Sequence, residues 1–130
     1  GMSNLSQMRD NLSYMRDFKP LNEEEQKIIA KAQKIIGNSA AIPCTSCRYC
    51  VEGKGDGCPE NIPIPDVFFA MNKHLTTGQT KEAKEAYLSA VKERGRASDC
   101  IKCKQCEEAC PQHIGITGEL EKCASMLESA

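Results

Sequence analysis

The sequence has no tryptophan, only 5% aromatic residues and almost no net charge, with 17 Lys and Arg against 18 Asp and Glu for a formal charge of -1. Few aromatics and a mean hydropathy of -0.48 leave little apolar material for a core in a 130-residue chain, which is near the size where one core is just adequate. Something besides apolar burial is therefore expected to hold the chain together. The balanced charge supplies no bulk field for attracting nucleic acid or an anionic membrane, so neither is expected as a partner. No apolar run approaches the roughly 18 to 20 residues of a membrane helix, and the first residues lack a signal peptide's apolar stretch, which makes the cytoplasm the expected location. Gly1 ahead of Met2 reads as the remnant of a cleaved tag, so Met2 is either a native start or an internal residue of a longer protein. Sustained strand alternation is also missing, and the expected fold class is all-α.

Helical spacing is plentiful. Leu5, Met8, Leu12 and Met15 predict a helix from about Ser3 to Asp17, stopped before Pro20. Asn22 followed by Glu25 reads as a capping box opening a second helix, with Ile28, Ile29, Ala32, Ile35 and Ile36 on one face and Gly37 to end it. Pro65 suits a first helical position, and Val67, Phe68, Met71 and Leu75 carry that helix toward Gly78. The stretch TKEAKEAYLSAVKERG predicts another from Thr80 to Gly95, with Ala83, Ala86, Tyr87, Ala90 and Val91 aligned. Thr117 is placed to cap a last helix bearing Leu120, Cys123, Met126 and Leu127. The expected organisation is one domain, in which residues 1–40 form N-terminal helices and a possible linker from an absent upstream domain, and residues 41–130 carry the chemistry.

That chemistry is announced by nine cysteines. An odd count without a secretion signal argues against a disulfide framework, and reduced thiols at fixed spacing are how soft metals are held. Eight of the nine form an internal repeat: CTSCRYCVEGKGDGCPENIPI and CIKCKQCEEACPQHIGI. In each, CxxCxxC leads to a fourth cysteine followed by Pro, then two residues, Ile, one residue and Ile. Such duplication predicts two half-sites related by an approximate two-fold, bridged by the helices between Pro65 and Arg94.

The second segment, CxxCxxCxxxCP, has the spacing with which bacterial ferredoxins hold [4Fe-4S] clusters, where three thiolates come from one tight loop and the fourth from the other motif. Carried over to this chain, that rule assigns Cys44, Cys47, Cys50 and Cys110 to one cluster and Cys58, Cys100, Cys103 and Cys106 to a second. Four residues from Cys106 to Cys110, about 6 Å along a helical axis, would make the clusters neighbours at roughly 10 to 12 Å between centres. Pro59 and Pro111 then set the chain direction after each remote ligand. The first segment departs from the pattern, because VEGKGDG puts seven residues between Cys50 and Cys58 and loses the short helical link; Gly53, Gly55 and Gly57 permit that excursion. The competing use of such cysteines is structural zinc, which prefers two separated CxxC pairs, whereas the unit here is three plus one. Cys123 fits neither motif and reads as core. His113 reads as a loop residue close to a ligand, and His74 as a lone helical histidine. Arg48, Lys102 and Lys104 could offset cluster charge or simply form solvated surface.

The two CP motifs with helices between them resemble an α-helical ferredoxin-like domain with two cysteine-rich cluster-binding loops. More specifically, NLSYMRDFKPLNEEE followed by IPCTSCRYC and CPENIPIP resembles the C-terminal part of iron-sulfur aldo/keto reductase family oxidoreductases. That resemblance implies an upstream (β/α)8 reductase domain of the same parent chain as redox partner, and none of that barrel is present in this sequence. No Tyr, Lys, His and Asp set can be assigned as a reductase site and no glycine-rich dinucleotide fingerprint follows a strand, so no catalytic activity is expected of this chain alone. Two roles remain: electron transfer through two [4Fe-4S] clusters, or a metal-stapled interaction module.

Overall fold

The computed structural model describes residues 2–37, 41–52 and 57–129, and they form helices, turns and no strand. The fold class is all-α. The chain divides into two compact units, Gly1–Asn38 and Ser39–Ala130.

The first unit holds α1 (Leu5–Ser13) and α2 (Glu23–Gly37). Local capping defines both starts. Asn4 Oδ1 accepts from the Gln7 amide at 2.9 Å, and Asn22 and Glu25 cap reciprocally, with Glu25 N to Asn22 Oδ1 at 3.0 Å and Asn22 N to Glu25 Oε2 at 2.8 Å, satisfying donors that a helix start otherwise leaves open. Helix α1 is shorter than the spacing predicts, because the chain leaves helical hydrogen bonding after Ser13 and continues as turns through Asp17. Neither helix buries a side chain within this unit, and on the predicted apolar faces Leu12 is 58% exposed, Ile28 67% and Ile36 73%.

The second unit contains the core. Helices α3 (Tyr49–Glu52), α4 (Ile64–Thr77), α5 (Thr80–Ala90), α6 (Gln105–Glu108) and α7 (Ile116–Leu127) are joined by a 3-10 turn at Ala97–Asp99. Helices α4 and α5 form a hairpin, α7 packs on both, and the short α3 packs against the short α6. The α4–α5 corner turns at Gly78, whose left-handed φ of 70° suits glycine and whose amide reaches the His74 carbonyl at 2.9 Å. Val67, Phe68, Ala70 and Met71 meet Ala83 and Tyr87 of α5 and Leu120, Cys123 and Leu127 of α7, all buried. Complete burial of side chains as large as Phe68 or Leu120 is worth about 1.5–3 kcal/mol each.

Three local readings differ from the sequence expectation. Helix α5 ends at Ala90 rather than at Gly95, and the chain passes through a turn that brings Gly95 against residues 60–62. A Cβ on Gly95 would lie 2.0 Å from the Glu60 carbonyl oxygen, so only glycine allows that approach. Thr117 lies inside α7 instead of capping it, since Gly115 holds the cap position. Met126, predicted on the apolar face, is 37% exposed.

Candidate metal centre

The two cysteine segments share a backbone as well as a spacing. Among the described residues, six non-glycine residues adopt a left-handed φ, and they fall at matching places: Ser46 (54°) with Lys102 (57°), Arg48 (65°) with Lys104 (64°), and Asn61 (51°) with His113 (52°). A left-handed L-residue costs roughly 1–2 kcal/mol, so the same cost met three times in each half points to one conformational demand on both. Alternation of right- and left-handed residues gathers backbone N–H groups into anion-binding concavities, iron–sulfur sites among them. Hydrogen bonds repeat with it. Val51 N to Arg48 O (3.0 Å) matches Glu107 N to Lys104 O (2.9 Å), Asn61 N to Cys58 O (2.9 Å) matches His113 N to Cys110 O (3.1 Å), and Ile64 N to Ile62 O matches Ile116 N to Ile114 O, both 2.8 Å. A helical turn after the second cysteine is common to both segments, for α3 occupies the place of α6, while seven residues still separate Cys50 from Cys58. Gly53 and Gly55 lie outside the described residues, and Gly57 has φ 66° with its would-be Cβ 2.4 Å from the Val51 carbonyl oxygen.

Burial of the thiols repeats in register. Cys44 and Cys100 are half-buried, Cys47 and Cys103 exposed, Cys50 and Cys106 buried, and Cys58 and Cys110 half-buried, all as free thiols. Cys44, Cys47, Cys50 and Cys110 line one small recess, part of it open to solvent, together with Ile64, Phe68, Ile114 and Ile116. Burial, and then repulsion from the Cys44, Cys47 and Cys110 thiolates, pushes the Cys50 thiol up to about 11. For Cys106, burial followed by repulsion from Cys58, Cys100 and Cys103 pushes the thiol up to about 12. The recess thus gathers three cysteines of the first segment with the CP cysteine of the second, and Cys58, the CP cysteine of the first segment, is among the thiols that act on Cys106. Cys123 stands apart, fully buried in the core on α7. Among the described residues, no three His, Cys, Asp or Glu side chains gather around a point that could hold a single metal ion.

The donor set fits an iron–sulfur group. Thiolate sulfur suits such clusters, and a bound cationic iron core would offset the burial and the mutual repulsion that raise the Cys50 and Cys106 thiols. Two nearby cations are already engaged. Arg48 pairs with Glu52 and, at 3.5 Å, with Asp66, while Lys102 pairs with Glu121. His113 is exposed, and His74 Nδ1 lies 3.0 Å from Thr80 Oγ1 at the α4–α5 corner.

Several anchoring residues gave no sequence signal. Asn72 on α4 bonds both backbone groups of Ile42. Glu107, between Cys106 and Cys110, accepts from Thr117 N and Thr117 Oγ1, both at 2.8 Å, which ties the second loop to the start of α7 and holds the carboxyl below its usual range. Tyr87 donates to Glu128 and accepts from Ala97 N at 2.9 Å. Burial works against the Glu128 carboxylate, but hydrogen bonds from Tyr87 and Ser98 outweigh it and keep its pKa low.

A helical domain with a thiol-lined recess and a duplicated CxxCxxC…CP repeat has the donor set of an iron–sulfur protein. The family model of the 4Fe-4S dicluster domain matches residues 43–114, more than half of the chain and all eight motif cysteines; the chain belongs to that family, whose role is electron transfer. No curated protein and no solved structure matched the chain.

Proposed function

We propose that the chain binds two [4Fe-4S] clusters, one through Cys44, Cys47, Cys50 and Cys110 and the other through Cys58, Cys100, Cys103 and Cys106. It thereby relays single electrons to or from a redox enzyme. The observation that carries this reading is the presence of Cys110 in the recess of the first segment's three cysteines, matched by the influence of Cys58 on Cys106. When bound, each cluster supplies reversible one-electron chemistry. The protein's part is to hold the thiolates, to cover the inner side of the first recess with Ile64, Phe68, Ile114 and Ile116, and to leave Cys47 and Cys103 outward as edges for electron exchange. Tyr49 and Ile101, about 60% exposed beside those motifs, offer apolar surface for a partner there.

The partner we propose is an upstream (β/α)8 reductase domain of the same parent chain, of the aldo/keto reductase family. Support comes from the resemblance of residues 11–25 and of the segments around the first motif, and from the uncovered apolar faces of α1 and α2, which a neighbouring domain would bury. Sequencing the uninterrupted reading frame upstream of Met2 tests that parentage. For the cofactor, anaerobically prepared protein should be brown, carry about eight irons and eight acid-labile sulfides, and show fast, reversible one-electron steps in a redox titration. Colourless, folded protein with stoichiometric zinc would reject the relay in favour of a metal-stapled interaction module.

A further inference from the structure

Both cysteine loops are approached through a backbone segment that a distant side chain grips. Ile42, two residues before Cys44, donates its amide to Asn72 Oδ1 at 2.6 Å and accepts from Asn72 Nδ2 at 2.9 Å. The same Ile42 carbonyl accepts from the Cys44 amide at 2.8 Å. Ser98, two residues before Cys100, donates its amide to Glu128 Oε1 at 3.0 Å, and that oxygen also takes the Tyr87 hydroxyl. The Tyr87 oxygen in turn accepts from the Ala97 amide at 2.9 Å, and the Ala97 carbonyl accepts from the Cys100 amide at 3.3 Å. In each half, a side chain 30 residues or more away in sequence holds the segment whose carbonyl holds the first cysteine.

Packing alone does not require these groups. Tyr87 is 1% exposed in an otherwise apolar core, where Phe would fill nearly the same volume and an unpaired hydroxyl would be unfavourable. Asn72 is half-buried on the helix that supplies the core with Val67, Phe68 and Met71, and Leu would suit such a face better. What the polar atoms add is direction: a two-point amide grip, or a carboxylate and phenol acting together, fixes both the position and the rotation of the chain leading to a ligand. The two grips have no atom in common, so they should act independently.

We infer that Asn72 is a positioning residue for the cluster that includes Cys44, and that Glu128 with Tyr87 is the positioning pair for the cluster that includes Cys100, each governing one cluster without the other. This rests on the two-cluster reading above. The test uses the full chain, reconstituted anaerobically, with the two reduced-state paramagnetic signals assigned by Cys47→Ser and Cys103→Ser. Asn72→Leu should remove at least half of the signal lost in Cys47→Ser, or shift its potential, and leave the other unchanged. Asn72→Asp, which keeps the acceptor for Ile42 N and loses the donor, should give a smaller change in the same signal. Glu128→Ala and Tyr87→Phe should act on the signal lost in Cys103→Ser, and Glu128→Gln, which keeps an oxygen acceptor, should restore it. The inference is overturned if a folded Asn72 or Glu128 variant alters both signals alike, alters the wrong one, or alters neither in occupancy, line shape or potential. Wild-type protein that takes up zinc and no iron overturns the two-cluster reading, and this inference with it.

Discussion

The first and second cysteine segments reach one backbone from different residues. Between the cysteines they read TS and RY in one case and IK and KQ in the other, yet the left-handed positions, the short helix and the turn hydrogen bonds coincide. The shared letters are the cysteines, the proline after the fourth and the two isoleucines, of which Ile62, Ile64, Ile114 and Ile116 are all buried. Those few positions suffice to set the loop, because the sulfurs face one recess and the isoleucines anchor the exit in the core. Everything else is solved twice. An amide on α4 grips one approach and a carboxylate–phenol pair grips the other, and Glu107 ties only the second loop to a helix start.

Removal of metal should affect both segments and produce the largest change. With few aromatics and six of the eight motif cysteines at least partly open to water, the loops depend on metal–thiolate bonds. Complete chelation should abolish hydrogen-exchange protection at residues 44–52 and 100–110 before it reaches α4 and α7. Unchanged exchange would mean that the loops are held by protein contacts alone.

Phe68→Ala strikes the halves unequally. Phe68 is 1% exposed and lines the recess of Cys44, Cys47, Cys50 and Cys110, so truncation should cost about 3–5 kcal/mol and hasten loss of that cluster under air more than of the other. Equal rates of bleaching would show that the recess wall protects neither preferentially. Gly95→Ala acts where the chain between the halves crosses residues 60–62, and a Cβ there meets the Glu60 carbonyl at 2.0 Å. Overpacking of this kind costs typically 1–3 kcal/mol, and denaturant unfolding of the holoprotein should shift by that amount.

The smallest expected effect separates the halves by pH. Glu128 and Glu107 both have lowered pKa values in the folded chain, so their stabilisation is complete above the ordinary carboxylate value of about 4.3 and is lost as pH falls through the lower folded values. The Asn72 amide does not titrate. As pH falls below about 4.3 and through the lower folded value of Glu128, protection of the Ser98 amide should drop relative to that of Ile42, and Glu128→Gln should flatten the difference.

Much of the site was legible because its signals are short in sequence. Cysteine spacing, the prolines after Cys58 and Cys110, the Asn22–Glu25 cap and the Gly78 corner each act within a few residues, and local rules reach that far. Asn72, Tyr87 and Glu128 were not legible, since their partners lie 30, 10 and 30 residues away and a polar residue on a helix has many possible fates. Thr117 was misread for a related reason: its amide and hydroxyl are satisfied by Glu107 from another helix rather than by a cap of its own turn. Amphipathic spacing identified faces on α1 and α2, but spacing alone does not say what covers a face.

The central claim is that each cluster takes its fourth thiolate from the other segment, and a comparison of single cysteine variants tests it directly. Cys44→Ala, Cys110→Ala and Cys103→Ala would be reconstituted anaerobically and the reduced-state paramagnetic signals recorded. The account predicts that Cys110→Ala loses the same signal as Cys44→Ala and keeps the one that Cys103→Ala loses. Loss of the Cys103 signal in Cys110→Ala, with the Cys44 signal intact, would contradict it and make each segment a self-contained site.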